Sequence, residues 1–159
     1  MSLPPFQTLV DAHWRDVARL AHALVGSADG DDVAQQAWLQ ALAAYPQLTH
    51  AGNLRGWLLT ITHRCALDHH RRAHRVLPHE DPATLPAARV TAAPDDPRPE
   101  LWAAVAVLPQ RHREVVALRF VTDLDHASIA TVLGISTVMS RRLLSDALAT
   151  LRLDTQGRS

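Results

Sequence analysis

Between Asp125 and Arg152 the chain reads as two short helical patterns joined across Leu133-Gly134-Ile135-Ser136, and this break restricts the possible architectures more than any other segment. Ile129, Val132 and Leu133 recur at i, i+3 and i+4, which gives a first helix one apolar face. Asp125, just ahead of them, offers a carboxylate to that helix's unpaired backbone N–H groups. Gly134 supplies the positive φ of a sharp turn. Ser136 suits the start of a second helix, on which Ser140, Leu144, Ala147 or Leu148, and Leu151 share one side, and Arg141, Arg142, Ser145 and Asp146 the other. Two helices joined by a short turn with a Gly describe a helix-turn-helix, whose second helix usually enters a DNA major groove. Any αα-hairpin carries a similar pattern, so the rest of the chain has to decide.

The remaining pattern is helical throughout. From Phe6 to Val25, Phe6, Leu9, Val10, Val17, Leu20, Ala21 and Leu24 recur at helical spacing until Gly26-Ser27 ends the run. Asp29, Asp31 and Asp32 open a second helix, where negative charge suits the helix dipole; Val33, Ala37, Trp38 and Ala41 form its stripe and Pro46 stops it. Asp32, Gln35, Gln36 and Gln40 point away from that stripe, which by itself describes a solvated face. A third helix runs from Leu54 to about Arg75, with Leu54, Trp57, Leu58, Ile61 and Cys65 on its apolar side. Its end holds Arg64, Arg71, Arg72 and Arg75 among His63, His69, His70 and His74, more cation than the dipole needs and suited to phosphate. His70 and His74 have metal-ligand spacing but no third ligand, so no metal site is expected.

Residues 76–99 are Pro-rich and lack helical periodicity, so they read as a linker. Beyond it, Glu100 to Leu108 and then Pro109 to about Phe120 form two more helical patterns, with Val115, Leu118 and Val121 able to pack on the helix-turn-helix. The expected fold is therefore all-α: two small helical domains, residues 1–75 and 100–159, joined by the linker.

Charge narrows the function. Sixteen Arg, with no Lys, balance sixteen acids. The first domain carries seven Arg against six acids, and so does the second, leaving no global basic field to drive non-specific nucleic-acid binding. Any DNA contact must come from local patches. Cys65 is alone, which excludes a disulfide framework or thiolate zinc cluster. The chain opens without a signal-peptide pattern, and no apolar run approaches the ~20 residues a membrane span requires, so a cytoplasmic protein without membrane insertion is expected. There is no Gly-rich phosphate loop, nucleophile triad or paired carboxylates, so neither an enzyme nor a cofactor is expected.

Several strings together resemble the extracytoplasmic-function (ECF) sigma factors of bacterial RNA polymerase. Ala28-Asp29-Gly30-Asp31-Asp32-Val33-Ala34-Gln35-Gln36-Ala37-Trp38-Leu39 is similar to that family's polymerase-binding helix. Leu54-Arg55-Gly56-Trp57-Leu58 through Ala66-Leu67-Asp68-His69-His70-Arg71-Arg72 resembles its promoter-melting helix. Leu108-Pro109-Gln110-Arg111-His112-Arg113-Glu114-Val115-Val116-Ala117-Leu118-Arg119-Phe120 and Ile129-Ala130 through Leu133-Gly134-Ile135-Ser136 resemble the start and turn of its second domain. The resemblance implies binding to core RNA polymerase, recognition and opening of promoter DNA, and control by an anti-sigma antagonist. By position it assigns Asp32, Gln35, Gln36 and Leu39 to polymerase, and Trp57, His63, Arg64, Asp68, Arg71 and Arg72 to the −10 element. It assigns Ser136, Thr137, Arg141, Arg142 and Ser145 to the −35 element.

Three departures stand out. Gln36 replaces the usual Glu, His63-Arg64 replaces the usual Arg-Asn, and Thr137 to Leu143 diverges from the family's recognition helix, followed by Asp146, Leu148 and Thr150 at usually basic positions. An acid near phosphate and fewer cations imply weak or altered −35 binding. Two alternatives stay open: a sigma-like regulator that binds polymerase or another protein without directing initiation, and a stand-alone helix-turn-helix regulator, which near-neutral charge fits poorly.

Overall fold

A computed structural model describes residues 2–49, 51–76 and 99–156, among which all regular structure is helical. The helices are α1 (Phe6–Val25), α2 (Ser27–Ala44), α3 (Leu54–Val76), α4 (Pro99–Ala106), α5 (Gln110–Phe120), α6 (His126–Leu133) and α7 (Thr137–Gln156). The linker expected over 76–99 lies outside the described residues except at its two ends, which belong to α3 and α4. No helix among the described residues is long and apolar enough to cross a membrane.

The first module packs α1, α2 and α3 on one another. Its core takes Val17, Leu20 and Leu24 from α1, Val33, Ala37 and Ala41 from α2, and Leu58, Ile61 and Cys65 from α3. Close approach of α1 and α2 depends on Gly30, where an added Cβ would lie 2.6 Å from the ring of His22. Pro46 lies where α2 stops, in a 3-10 turn, Tyr45–Gln47, just past the last α-helical residue Ala44. Pro109 is the residue before α5 rather than its first turn, with φ −53 and ψ 150, and its carbonyl accepts from Arg113 N–H at 3.0 Å.

In the second module α5 and α6 each pack on α7. Asp125 Oδ1 accepts from the Ser128 N–H at 2.8 Å and caps α6. Gly134, at φ 67 and ψ 37, turns the chain so that the Ile135 N–H returns to the Ala130 carbonyl at 3.0 Å. Ser136 Oγ then accepts from the Met139 N–H at 3.0 Å and starts α7.

The two modules are docked. Helix α1 packs on α5 and α3 on α6, and a single apolar cluster runs through both modules. Arg55 of α3 holds Asp16 of α1 at 2.9 Å and also donates to the Thr122 carbonyl beyond α5. Leu59, Thr62, His63 and Ala66 are buried as well as the apolar side expected for α3, because the second module covers another face of that helix.

Candidate nucleic-acid and polymerase interface

On α2 the buried stripe forces its complement outward. Asp32, Gln35, Gln36 and Leu39 are all exposed, and Leu39 leaves 62% of its surface to solvent. Leu42, one turn on and 52% exposed, extends this patch. The i, i+3 spacing of Leu39 and Leu42 was the available signal for adding Leu42 to the sequence-based set. Exposed leucines beside amides and an acid suit a protein partner, with apolar area at the centre and polar groups at the edge.

The α3 candidates divide. Arg64, Arg71 and Arg72 are exposed, and Arg71 lies 3.5 Å from Asp68. Trp57 is half-buried, its ring centroid 6.2 Å from Tyr45, whose own ring packs at 5.3 Å on Phe6. It joins an aromatic cluster that ties α3 to α1. His63 is buried against Glu114 of the second module. In this docked arrangement His63 faces protein, and DNA reaches it only if the modules part. The side chains of His74 and Arg75 lie outside the described residues.

The structure brings part of the first two candidate sets together. Asp32, Gln36 and Gln40 of α2 and Cys65, Asp68 and Arg72 of α3 line one groove. Beside it His69 Nε2 lies 3.2 Å from Asp29 Oδ2. Burial, with Asp68 nearby, pushes the Cys65 thiol up, so it stays protonated and inert near neutral pH. Among the described residues no three His, Cys, Asp or Glu side chains converge as a metal site.

On α7, Ser140, Leu144, Ala147 and Leu151 are buried. Helical periodicity sets Val138, Arg142, Ser145 and Ala149 on the opposite, exposed line. Arg141 and Arg152 fall on one flank of that line, and Met139, Asp146 and Leu153 on the other. Ser136 is exposed at the helix start and Thr137 half-buried. A helix seated in a major groove presents its outward line to bases and its flanks to the two phosphate walls. Here one flank is cationic and the other apolar with one acid. Val138, 72% exposed on the outward line of the first turn, was missed from sequence, although its place relative to Ser136 and Arg142 marks it.

Comparison with known proteins agrees with this arrangement. Residues 9–76 match the Sigma-70 region 2 family and residues 104–153 the Sigma-70 region 4 family. ECF RNA polymerase sigma factor SigC of Mycobacterium tuberculosis is 32% identical over 150 residues, covering 84% of this chain and 76% of SigC. SigE of Mycolicibacterium smegmatis is also 32% identical, over 158 residues, but the match spans only 58% of its length and 88% of this chain. Among solved structures, CnrH in complex with the cytosolic domain of CnrY superposes with a TM-score of 0.72 at 25% identity, covering 97% of this chain and 89% of that one. Sigma factor RpoE of Bartonella quintana, solved with the anti-sigma factor NepR, shares the fold at a TM-score of 0.77 and 17% identity, covering 92% of this chain and 94% of that one. From its two matched regions and its 32% identity to SigC over most of both chains, the chain belongs to the extracytoplasmic-function family of RNA polymerase sigma factors.

Proposed function

We propose that this chain acts in the cytoplasm as a non-enzymatic subunit of RNA polymerase, binding the core enzyme and directing promoter recognition and opening. The observation that carries the reading is the shared groove of the first module. There Asp32, Gln36 and Gln40 of α2, on the face suited to protein, adjoin Asp68 and Arg72 of α3, on the face suited to the DNA backbone. Asp32, Gln35, Gln36 and Leu39 would bind polymerase. Arg64, Asp68, Arg71 and Arg72 would hold the −10 element, with Trp57 supporting α3 from within and His63 reached once the modules separate. The duplex opens when bases leave the stack, at a cost of a few kcal/mol that phosphate contacts and a receiving surface must offset. No bond is made or broken by the protein.

Ser136, Thr137, Arg141, Arg142 and Ser145 would meet the −35 element through one cationic flank, which supports one-sided, weak phosphate contact. An anti-sigma antagonist is proposed as a partner, since CnrH and Bartonella RpoE were solved with CnrY and NepR. A second reading, a sigma-like regulator that binds polymerase without directing initiation, is favoured by one observation: Asp146, Met139 and Leu153 occupy a flank where a DNA reader needs cations.

The test is a titration of fluorescently labelled chain with core RNA polymerase, followed by a labelled promoter fork. Saturable binding to core, and a tighter fork complex only in its presence, are expected. No binding to core sinks the proposal.

A further inference from the structure

The first turn of α7 presents an apolar surface where a DNA-reading helix meets base edges. Ser136 Oγ accepts from the Met139 N–H at 3.0 Å, which fixes the start of the helix. Ser140 is wholly buried and held on His126, and Thr137 is half-buried. What this turn turns outward is Val138, 72% exposed, with Met139, 42% exposed, beside it. Arg142 follows on the same outward line, about 6 Å further along the axis. Arg141 stands next to it on the cationic flank. Val138 and Met139 both belong to Thr137–Leu143, the stretch in which this chain departs from the family's recognition helix.

The N-terminal residues of a recognition helix are the ones that reach base edges. In the major groove every base pair offers hydrogen-bonding atoms, but only thymine carries a methyl, on C5. A Val laid on a G·C edge, or on adenine N6, covers polar atoms it cannot pair with, and a buried unpaired donor or acceptor is costly. Laid on a thymine methyl, it removes apolar surface from water on both sides. Val suits that contact because its two methyls hold one strongly preferred rotamer in a helix, so little side-chain entropy is lost. A protein occupant fits this turn less well, since Arg141 and Arg142 lie exposed just beyond it and suit phosphate or a guanine edge.

We propose that Val138, flanked by Met139, is a specificity-determining residue of the upstream contact and reads a thymine through its C5 methyl. The proposal rests on the −35 role proposed above for α7, and adds to it the residue and the base. At this end of the helix the promoter is selected by an apolar contact instead of a hydrogen-bonded purine edge. With cations on one flank of α7 only, such a contact supplies sequence preference without adding phosphate affinity.

The experiment uses holoenzyme assembled from the full chain and core RNA polymerase, on the promoter region of the chain's own operon. A footprint defines the protected upstream segment. Each thymine in that segment is then replaced in turn by deoxyuridine, which keeps the base pair and O4 and lacks only the C5 methyl. At one thymine, or two adjacent ones, the replacement is expected to weaken binding about fourfold, the effect of one buried methyl. Val138→Ala is expected to bind the thymine and deoxyuridine promoters equally, and Val138→Ile to keep the difference. Because Val138 is exposed, core affinity and melting temperature of both variants should match those of the unsubstituted chain. Holoenzyme indifferent to every replacement overturns the proposal, and the scan needs no variant to show it. Val138→Ala that keeps the full deoxyuridine effect overturns it too. Upstream protection with either of those results leaves the −35 role standing and sinks the thymine reading alone. Holoenzyme that leaves the upstream DNA unprotected overturns the −35 role, and the thymine reading with it.

Discussion

Nδ1 of His126, at the start of α6, lies 2.9 Å from Oγ of Ser140 on α7, and Ser140 is wholly buried. This contact crosses the two helices of the helix-turn-helix and sets how α7 leaves the turn. Ser140→Ala removes the hydroxyl and leaves the imidazole to find water. A loss of about 1 kcal/mol is expected, measured as a lower urea midpoint at unchanged m-value. Unaltered stability would mean the contact is not formed in solution.

Two glycines should respond to alanine for different reasons. At Gly134 an added Cβ meets nothing within 4 Å, so only the positive φ of 67 opposes it. About 1 kcal/mol is expected, from backbone strain. At Gly30 the Cβ would lie 2.6 Å from the His22 ring and 2.9 Å from its Cα, so α1 and α2 must shift. A loss of about 1–3 kcal/mol is expected there. Thermal unfolding of the two variants orders them, and a Gly30→Ala protein as stable as Gly134→Ala would contradict the packing.

Glu114 links stability to pH. Burial pushes its carboxyl up, but contacts with His63, Gln110 and Arg111 outweigh this and leave it below the ordinary glutamate value of 4.5. An acid depressed in the folded state stabilises fully above its unfolded value and loses that contribution as pH falls through the folded one. Stability should therefore decline on acidification below about pH 4.5, with part of the slope missing in Glu114→Gln. Parallel pH profiles for the two proteins would show that Glu114 carries no such linkage.

Leu39 separates binding from folding. With 62% of its surface exposed, Leu39→Asp should leave stability within about 0.5 kcal/mol. Its removal from a protein interface should weaken binding to core polymerase by about tenfold or more. Calorimetry and a core titration on the same preparation give both numbers. Weakened binding matched by a collapsed melting temperature would point to folding instead.

Arg141 and Arg142 supply the cation of α7 near the expected DNA contact. Replacing both with Ala should abolish upstream protection in a footprint of the holoenzyme. Promoter binding should also depend less steeply on salt, the log–log slope flattening by about 0.9 for each phosphate no longer neutralised. Unchanged protection would favour a protein-binding role for this helix.

Much of this architecture was legible in local chemistry. Asp125, Gly134 and Ser136 define the turn through caps and one left-handed residue, which depend on a few neighbours. The stripe of α1 similarly gave its full extent, Phe6–Val25. Residues that answer to two modules were not legible. His63 reads as one of a basic series along α3, and only the docking of α5 turns it toward Glu114. Trp57, which the sequence puts on the apolar side of α3 and the resemblance near the −10 element, is half-buried and meets Tyr45 within the first module. Pairing between segments about fifty residues apart has no period to betray it.

Run-off transcription with core RNA polymerase of the source organism, on the promoter region of the chain's own operon, tests promoter-directed initiation most directly. A specific transcript that appears only when the chain is added is expected. Stable binding to core with no transcript would contradict initiation and leave the chain a sigma-like regulator.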